Sequence, residues 1–341
     1  MRIAVLGAGS LGTIAGAYIA AGGKDVELID VYQAHVDVLN QEGARIIGTT
    51  DFQSKVKAIT PDNMSGTYDL VLLLTKQLYN DSVLQNLLPF LTDQSVVLSL
   101  QNGIPEEKVA SIVGRERVIA GSVEFGATFI EPGVSKLTTT YDHFKKYAFQ
   151  IGELNGEITE RIQQIKSILD LVGGTHISGN LVGTKWSKLL INNAFSGLSA
   201  ALNTEFGGVL DHEVSVISAA HIADETIKVG HANGVTFAKM NSFDISSLEI
   251  KNENEIPLRI QTLRKFMESS RLLKASMLQD LEKKRKTEID YINGVVPQLA
   301  KGKGIPTPYN DMVVKLVKQA EETQSIPNFA TNIKCFEELN K

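Results

Sequence analysis

The chain has 341 residues, enough for two domains with separate apolar cores, and its hydrophobic (43%) and charged (21%) fractions are ordinary for a globular protein. A net charge of −5 gives no basic surface for nucleic acid, and no apolar run approaches the length of a membrane span. A single cysteine, Cys335, excludes an internal disulfide and predicts a reducing, cytoplasmic location, and the six histidines show no metal-ligand spacing.

The first predicted element is a short buried strand, residues 3–6, which runs into a glycine-rich turn. Gly7 permits the tight turn, Gly9 lets the backbone approach a pyrophosphate, and Gly12 lets a helix predicted from residue 11 to 21 pack on the sheet. The N–H groups at the start of that helix would face the phosphates. The pattern predicts a dinucleotide site, rather than a plain structural turn, formed by Gly7, Ala8, Gly9, Ser10, Leu11 and Gly12.

A second predicted strand, residues 26–29, is followed by Asp30, which lies 18 residues after Gly12. A carboxylate at this distance can accept hydrogen bonds from the ribose hydroxyls of adenosine. It would repel the 2′-phosphate of NADP(H), and no Arg or Lys follows until Arg45. The pattern therefore favours NAD(H), while the alternative that Asp30 only caps the next helix stays open at this point.

The first half of the chain alternates short apolar runs with helical stretches, which predicts a doubly wound parallel sheet in a domain of residues 1–178. Lys76 and Asn102 come directly after two of these apolar runs. Since ligands bind outside the carboxyl ends of parallel strands, both are expected at the cofactor crevice, although Lys76 could also be a surface lysine. The further predicted strands are 70–74, 96–100, 118–121, parts of 123–136, and 147–152; the predicted helices are 83–91, 106–113 and 158–172.

From residue 179 the periodicity becomes helical to the end of the chain. The sequence thus predicts an α/β protein, a Rossmann-type sheet domain followed by an all-helical C-terminal domain, residues 179–341, for substrate binding or dimerisation. Whether the chain forms a homodimer is left open by the sequence. The predicted helices are 181–202, 214–233, 257–286, 288–301 and 310–323.

Polar residues recur at helical spacing along one face of the first of these helices: Lys188, Asn192, Ser196, Ser199 and Asn203. One cation among neutral hydrogen-bonding groups suits the wall of a cavity better than a solvated face. The alternative is that Lys188 extends to solvent and the other side chains bond to the backbone.

Two later segments, SMLQD at 276–280 and TEIDYING at 287–294, also combine polar residues with apolar neighbours. Thr287 followed by Asp290 is typical of an N-cap that opens a helix. Glu288 would then lie in the first turn, where the helix dipole favours a carboxylate.

Together these stretches resemble the ketopantoate reductase family over essentially the whole chain. The matching motifs are the glycine-rich turn, Lys76, the QNG at 101–103, the segment from Gly121 to Pro132-Gly133, KWxKLxxN at 185–192, SMLQD, TEIDYING and TPxN at 307–310. The resemblance implies an oxidoreductase that reduces a 2-oxo acid with a nicotinamide cofactor, usually NADP(H). The resemblance also favours the interpretation of the polar helix face as the wall of a functional cavity.

The resemblance implies a role for each matching residue. Lys188 suits a general acid, because a cation near the ketone oxygen polarises it and donates the proton that follows hydride transfer. Glu288 would pair with Lys188 or place the substrate and contact the cofactor, and Asn102 would orient the lysine or the nicotinamide. Asn192 and Ser276 would hydrogen-bond the substrate, and Lys76 would lie where cofactor and substrate meet.

The chain departs from the family's NADP-using members, which carry an arginine just after the second strand, where this chain has Asp30 and Val31. Substrate-contacting asparagines of the pantoate enzymes correspond here to Ser196 and Leu273, which favours a branched or aromatic apolar substrate. We therefore expect an NADH-linked reductase of small 2-oxo acids to D-2-hydroxy acids, similar to D-mandelate dehydrogenases. The alternatives are NADPH-dependent reduction of ketopantoate and a nucleotide-binding protein without turnover; a relative acting on 3-hydroxy acids or phosphates is disfavoured by SMLQD and TEIDYING.

Overall fold

The structure is a computed structural model that describes residues 1–240 and 242–341. The chain folds as two compact units, the sheet unit Met1–Leu181 and the helical unit Val182–Lys341.

The sheet unit alternates strands and helices through most of its length. Its elements are β1 (Arg2–Leu6), α1 (Ser10–Ala21), β2 (Asp25–Ile29), α2 (Gln33–Glu42), β3 (Ala44–Gly48), β4 (Phe52–Ser54), β5 (Lys57–Ile59), β6 (Leu70–Leu73), α3 (Asn80–Leu87), β7 (Val96–Ser99), α4 (Glu106–Val113), β8 (Val118–Val123), β9 (Ala127–Glu131), β10 (Val134–Leu137), α5 (Tyr141–Lys146), β11 (Phe149–Glu153), α6 (Glu160–Leu169) and β12 (Thr175–Ile177).

An eight-stranded sheet in the order β12-β11-β8-β7-β6-β1-β2-β5 forms the core of this unit. The six strands from β8 to β5 are parallel, and β11 runs antiparallel to β8. The central strands are apolar at nearly every position because helices cover both faces of a parallel sheet. The predicted doubly wound sheet is confirmed, and the strand order reverses between β1 and β6, the switch point at which such sheets bind ligands.

A second, four-stranded sheet in the order β4-β3-β10-β9 was not predicted. The sequence indicated strands within residues 123–136 but no partners for them, and β3 and β4 were missed, as were the edge strands β5 and β12 of the larger sheet. The strands of the four-stranded sheet have three to five residues, and each contains at least one exposed position. Such short alternations produce a weak period-two signal.

The helical unit has only helices as regular structure among its described residues, apart from an isolated bridge between Met240 and Phe243. The fold class is confirmed. None of the described helices combines the length and apolar character needed to cross a bilayer. The helices are α7 (Leu181–Ile191), a π-helical turn (Asn192–Gly197), α8 (Leu198–Leu202), α9 (Phe206–Asp211), α10 (Glu213–Ala232), α11 (Ile256–Met267), α12 (Ser276–Glu282), α13 (Val295–Ala300), α14 (Pro308–Thr323) and α15 (Phe329–Leu339).

The prediction of one helix over residues 257–286 is wrong, because a loop separates α11 from α12. The backbone of this loop serves another helix: the carbonyls of Arg271 and Leu273 accept hydrogen bonds from Gly207 N (2.8 Å) and Phe206 N (3.1 Å) at the start of α9. Helix α9 thereby finds acceptors for N–H groups that have none within the helix.

The predicted helix over residues 288–301 is also wrong in its first half. Thr287 Oγ1 accepts a hydrogen bond from Ile289 N (3.2 Å), but the next element is a single 3₁₀ turn, Ile289–Tyr291, and α13 begins only at Val295. Glu288 therefore precedes a short turn instead of lying in the first turn of a long helix.

The π-helical turn is held from outside by a buried asparagine. Asn293 is fully buried, and its Nδ2 donates to the backbone oxygen of Asn193 (3.1 Å) within the turn and to Asn310 Oδ1 (3.0 Å). A Cβ atom at Gly197 would lie 1.9 Å from Asn293 Oδ1, so the amide fits only against a glycine. A π-helix widens the helix by one residue, and here Asn293 satisfies a carbonyl of the widened turn.

The same network ends at a buried carboxylate, Glu225 in α10, which is 5% exposed. Glu225 accepts hydrogen bonds from Tyr309 N (2.9 Å), Asn310 N (2.9 Å) and Asn310 Nδ2 (2.7 Å). Burial raises the pKa of Glu225 to about 7 in spite of these three bonds, which lower it.

We expect Glu225→Gln to change how stability depends on pH. The folded protein keeps the Glu225 proton between its unfolded pKa of 4.5 and its folded pKa of about 7, so the wild type loses stability as pH rises through this window. The shift corresponds to ~3 kcal/mol in the free energy of unfolding. Urea unfolding at pH 5 to 8 should show a smaller loss in the variant; parallel pH curves for the two proteins would contradict the assignment.

Candidate active site

The glycine-rich turn after β1 is packed backbone against backbone. Gly7 has a φ of +98°, and a Cβ atom there would lie 2.7 Å from Thr75 N in the loop after β6. A Cβ atom at Gly12 would lie 2.1 Å from the backbone oxygen of Gly7. Only glycine fits these two positions, so the start of α1 is held directly against the end of β1.

The same turn presents unused backbone donors. The N–H groups of Gly7 and Ala8 donate to Ile29 O (2.9 and 3.2 Å), whereas the first bond of α1 runs from Thr13 N to Gly9 O (2.8 Å). The N–H groups of residues 10–12 therefore have no acceptor within the helix. Gly9 is exposed, and no heavy atom lies within 4 Å of a Cβ position there. This open, donor-rich cradle fits the pyrophosphate of a dinucleotide.

Asp30 follows β2, the neighbour of β1 in the sheet. Its Oδ1 accepts a hydrogen bond from Tyr32 N (3.0 Å), and its Oδ2 has no hydrogen-bond partner among the described residues. Helix α2 begins at Gln33 after Tyr32, so Asp30 is not its N-cap, and that alternative is excluded. The side chain is half-buried and has one carboxylate oxygen available for a ribose hydroxyl.

The loops after β6 and β7 carry Lys76 and Asn102 and are tied together by glutamines. Gln101 is buried, and its Nε2 donates to Thr75 O (2.7 Å). Gln77, also buried, donates from Nε2 to Asn102 O (2.6 Å). Lys76 is half-buried and Asn102 is exposed.

Two residues that hold these loops, Gln77 and Asn80, were not predicted from the sequence. Asn80 exchanges hydrogen bonds with Gln101, its Nδ2 donating to Oε1 (3.1 Å) and its Oδ1 accepting from Nε2 (2.7 Å). Neither Asn80 nor Gln77 belongs to a recognisable motif. Their role depends on a contact between two loops about 25 residues apart, which no local pattern encodes.

In the helical unit, Lys188 lies in the last turn of α7, and Asn192 and Ser196 lie in the π-helical turn that comes next. All three side chains are half-buried, and Ser196 Oγ lies 3.5 Å from Asn192 Oδ1. The structure thus places these three predicted residues on consecutive turns, with the side chains of Asn192 and Ser196 close to each other. π-Helical turns inside α-helices occur frequently at functional sites.

The predicted polar face is shorter than expected. Ser199 is fully buried, and its hydroxyl donates to the backbone oxygen of Ser196 (3.3 Å). Asn203 is exposed and ends α8 in the left-handed conformation, with a φ of 51°. These two residues were predicted on the basis of an uninterrupted α-helix, and the π-helical turn changes the rotation per residue before both of them.

The remaining predicted residues lie on segments packed around this turn. Helix α12 packs against the π-helical turn, and its first residue, Ser276, is exposed. Leu273 is 54% exposed in the loop before α12. Glu288, half-buried, precedes the 3₁₀ turn on which α14 packs, and α14 also contacts the π-helical turn.

Comparison with known proteins agrees with this architecture. The family model described as Ketopantoate reductase PanE/ApbA matches residues 3–156, and that described as Ketopantoate reductase PanE/ApbA C terminal matches residues 180–321. A curated relative, the 2-dehydropantoate 2-reductase of Pyrococcus horikoshii, is 33% identical over 94% of this chain and 98% of its own. The 2-dehydropantoate 2-reductase of Lactococcus lactis is 29% identical over 94% and 98%.

Solved structures extend the comparison. The PanE/ApbA family ketopantoate reductase of Ralstonia eutropha has a TM-score of 0.80 at 26% identity and covers 95% of this chain and 99% of its own. D-mandelate dehydrogenase with NADH and anilino(oxo)acetate has a TM-score of 0.79 at 25% identity, with coverage of 95% and 99%. The resemblance inferred from the sequence motifs is confirmed. With matches that run through both units, the chain belongs to the ketopantoate reductase family and is an oxidoreductase.

Proposed function

We propose that this protein reduces a small 2-oxo acid to its D-2-hydroxy acid with NADH. The observation that carries the proposal is that Lys188, in the last turn of α7, and Asn192 and Ser196, in the π-helical turn that follows, all have half-buried side chains. When bound, the nicotinamide supplies the hydride. The protein must then bind the carboxylate, polarise the ketone and deliver one proton.

Particular residues of the chain carry out each of these steps. The Lys188 ammonium polarises the ketone oxygen and donates its proton to the alkoxide that hydride transfer creates. Asn192 and Ser276 hydrogen-bond the carboxylate or the oxo group, and Glu288 positions Lys188 or the substrate. Gly7 to Gly12 hold the pyrophosphate, and Lys76 and Asn102 extend from the carboxyl edge of the sheet towards the nicotinamide end.

The preference for NADH rests on Asp30. Its unpartnered carboxylate oxygen suits the 2′-hydroxyl of adenosine, and the same charge repels a 2′-phosphate. The structure of D-mandelate dehydrogenase with NADH, of similar fold, supports this choice. The single cysteine supports a reducing, cytoplasmic location.

The second candidate is NADPH-dependent reduction of ketopantoate, favoured by the names of the curated relatives. The two functions share the proposed chemistry and differ in the cofactor and in the substrate side chain. Ser196 and the exposed Leu273 distinguish them, because they stand where the pantoate enzymes are expected to have asparagines. Fewer amides leave a terminal substrate hydroxyl without partners and favour an apolar side chain.

Removal of the proposed general acid should abolish most turnover. We expect Lys188→Ala to lower kcat by about two to four orders of magnitude, the usual effect of losing a group that both stabilises charge and transfers a proton. Lys228→Ala is the matched control, since Lys228 is a lysine on α10 that pairs with Asp224 (2.6 Å). Partial rescue of Lys188→Ala by added methylamine would support proton donation, whereas near-normal kcat would remove Lys188 from the mechanism.

Reversing the charge of the side chain at position 30 should reverse the preference between NADH and NADPH. We expect Asp30→Arg to raise the ratio of kcat/KM for NADPH to that for NADH by about tenfold or more, since an arginine attracts the 2′-phosphate that Asp30 repels. Asp37→Arg introduces the same charge change at an exposed position of α2 and should leave the ratio unchanged. An unchanged ratio in Asp30→Arg would disprove the cofactor argument.

Initial rates with ketopantoate and with an aryl 2-oxo acid such as phenylglyoxylate, each with NADH and with NADPH, test the substrate class directly. We expect the fastest rate with NADH and phenylglyoxylate. Leu273→Asn should then shift the kcat/KM ratio towards ketopantoate by about tenfold, while Leu272→Asn at the neighbouring, 86% exposed residue should not. Rapid turnover of ketopantoate with NADPH alone would instead establish the second candidate.

A further inference from the structure

A buried histidine lies directly beneath the glycine-rich turn. His35, in the first turn of α2, is 1% exposed, and its Nε2 lies 2.8 Å from the backbone oxygen of Ala8. Its Nδ1 accepts a hydrogen bond from Gly133 N (2.9 Å), in the tight turn between β9 and β10. Thr13 Oγ1 also donates to Ala8 O (2.7 Å) and lies 3.2 Å from His35 Nε2.

These contacts determine the tautomer of the ring. A backbone N–H can only donate, so Nδ1 of His35 must be the unprotonated acceptor for Gly133. The proton of the neutral ring then lies on Nε2 and is donated to Ala8 O. Burial lowers the pKa of His35, and this effect exceeds those of the hydrogen bond to Ala8 and the charge of Asp30, which raise the pKa. The neutral ring with this tautomer is therefore the favoured form.

The bond to Ala8 orients the next peptide group. In a planar trans peptide the carbonyl of one residue and the N–H of the following residue point in opposite directions. His35 and Thr13 both hold the Ala8 carbonyl towards the interior, so the N–H of Gly9 points away from it. Gly9 is exposed and faces open space, where a phosphate can approach.

We propose that His35 is a positioning residue for the dinucleotide: by holding the Ala8 carbonyl inward, it aims the Gly9 N–H at the pyrophosphate. This inference rests on the proposed function, because it requires that the turn binds a nicotinamide dinucleotide. His35 also links the turn to the second sheet, since Gly133 donates to its ring and accepts from Arg45 N (2.8 Å) in β3. The small sheet thereby acts as a support for the cofactor-binding turn.

Close packing keeps the support in place. Gly133 has a φ of +77°, and a Cβ atom there would lie 2.5 Å from Val38 Cγ1 on α2. The ring of Phe129 in β9 meets the His35 ring edge-on, at 5.1 Å between centroids. The imidazole is thus enclosed by the turn on one side and by the β9–β10 hairpin on the other.

Three substitutions separate the two bonds of the ring. His35→Gln can place an amide N–H near the position of Nε2 and keep the bond to Ala8, His35→Asn keeps only an acceptor for Gly133, and His35→Leu keeps neither. We expect His35→Leu and His35→Asn to raise KM for NADH and Kd for NAD⁺ by about tenfold. His35→Gln should restore both to within about threefold of the wild type. The kcat and the KM for the 2-oxo acid should change little in all three.

His176→Gln is the matched control, because His176 is exposed on β12 and its Nε2 also bonds a backbone carbonyl, that of Lys146 (2.8 Å). It should leave NADH binding unchanged. Calorimetric titration with NAD⁺, steady-state kinetics with NADH, and a thermal melt of each variant separate cofactor binding from folding. Ring-nitrogen NMR of the wild type should show His35 protonated at Nε2 only.

The outcomes distinguish this inference from the proposed function. Wild-type KM for NADH in both His35→Asn and His35→Leu, or a proton on Nδ1, would overturn the role of His35 while nucleotide binding stands. A rise in KM that His35→Gln does not reduce would assign the effect to packing and also overturn it. A wild type that binds neither NAD⁺ nor NADP⁺ would contradict the proposed function itself.

Discussion

The contact on which the cofactor site depends is between backbone and backbone at the carboxyl end of β1. Gly12 packs on the carbonyl of Gly7, and Gly7 packs on the peptide of Thr75, at distances that no side chain would allow. This contact brings the start of α1 to the switch point of the sheet and leaves its first N–H groups directed outward. The same edge of the sheet also carries Asp30, Lys76 and Asn102, because each of them comes after a parallel strand that ends there.

This half of the site was predictable because its information is local. Two glycines, an apolar strand before them and an acidic residue after the next strand specify the geometry within 30 residues of sequence, and the parallel sheet brings the later strand ends alongside. The supports of the site were not predictable in this way. His35, Gln77 and Asn80 act through bonds to residues distant in sequence, and a buried polar residue of this kind has no periodic signal.

The helical unit was less predictable for a related reason. Periodicity locates helices but does not report where they break. The carbonyls of the loop between α11 and α12 bond to the first N–H groups of α9, a contact that no local pattern reports. Likewise, the π-helical turn is indistinguishable from an α-helix over six residues of sequence. A residue that contacts it lies 100 positions away, since the amide of Asn293 bonds Asn193 O. The sequence therefore names candidate residues in this unit but does not report their arrangement.

The two units consequently differ in which of their proposed site residues can be substituted without disturbing the fold. In the sheet unit the groups proposed to bind phosphate are backbone N–H groups, and glycines fix their positions. Substitution of these glycines would disturb the fold before it altered the cofactor preference. In the helical unit the support of the turn is buried, in Asn293, Asn310 and Glu225, whereas the side chain of Ser196 is half-buried and that of Leu273 is exposed. On such a scaffold, half-buried and exposed side chains can change without disturbing the buried residues that support the turn. The proteins similar to this chain include both 2-dehydropantoate 2-reductases and a D-mandelate dehydrogenase, as is expected where one fold carries different substrate preferences.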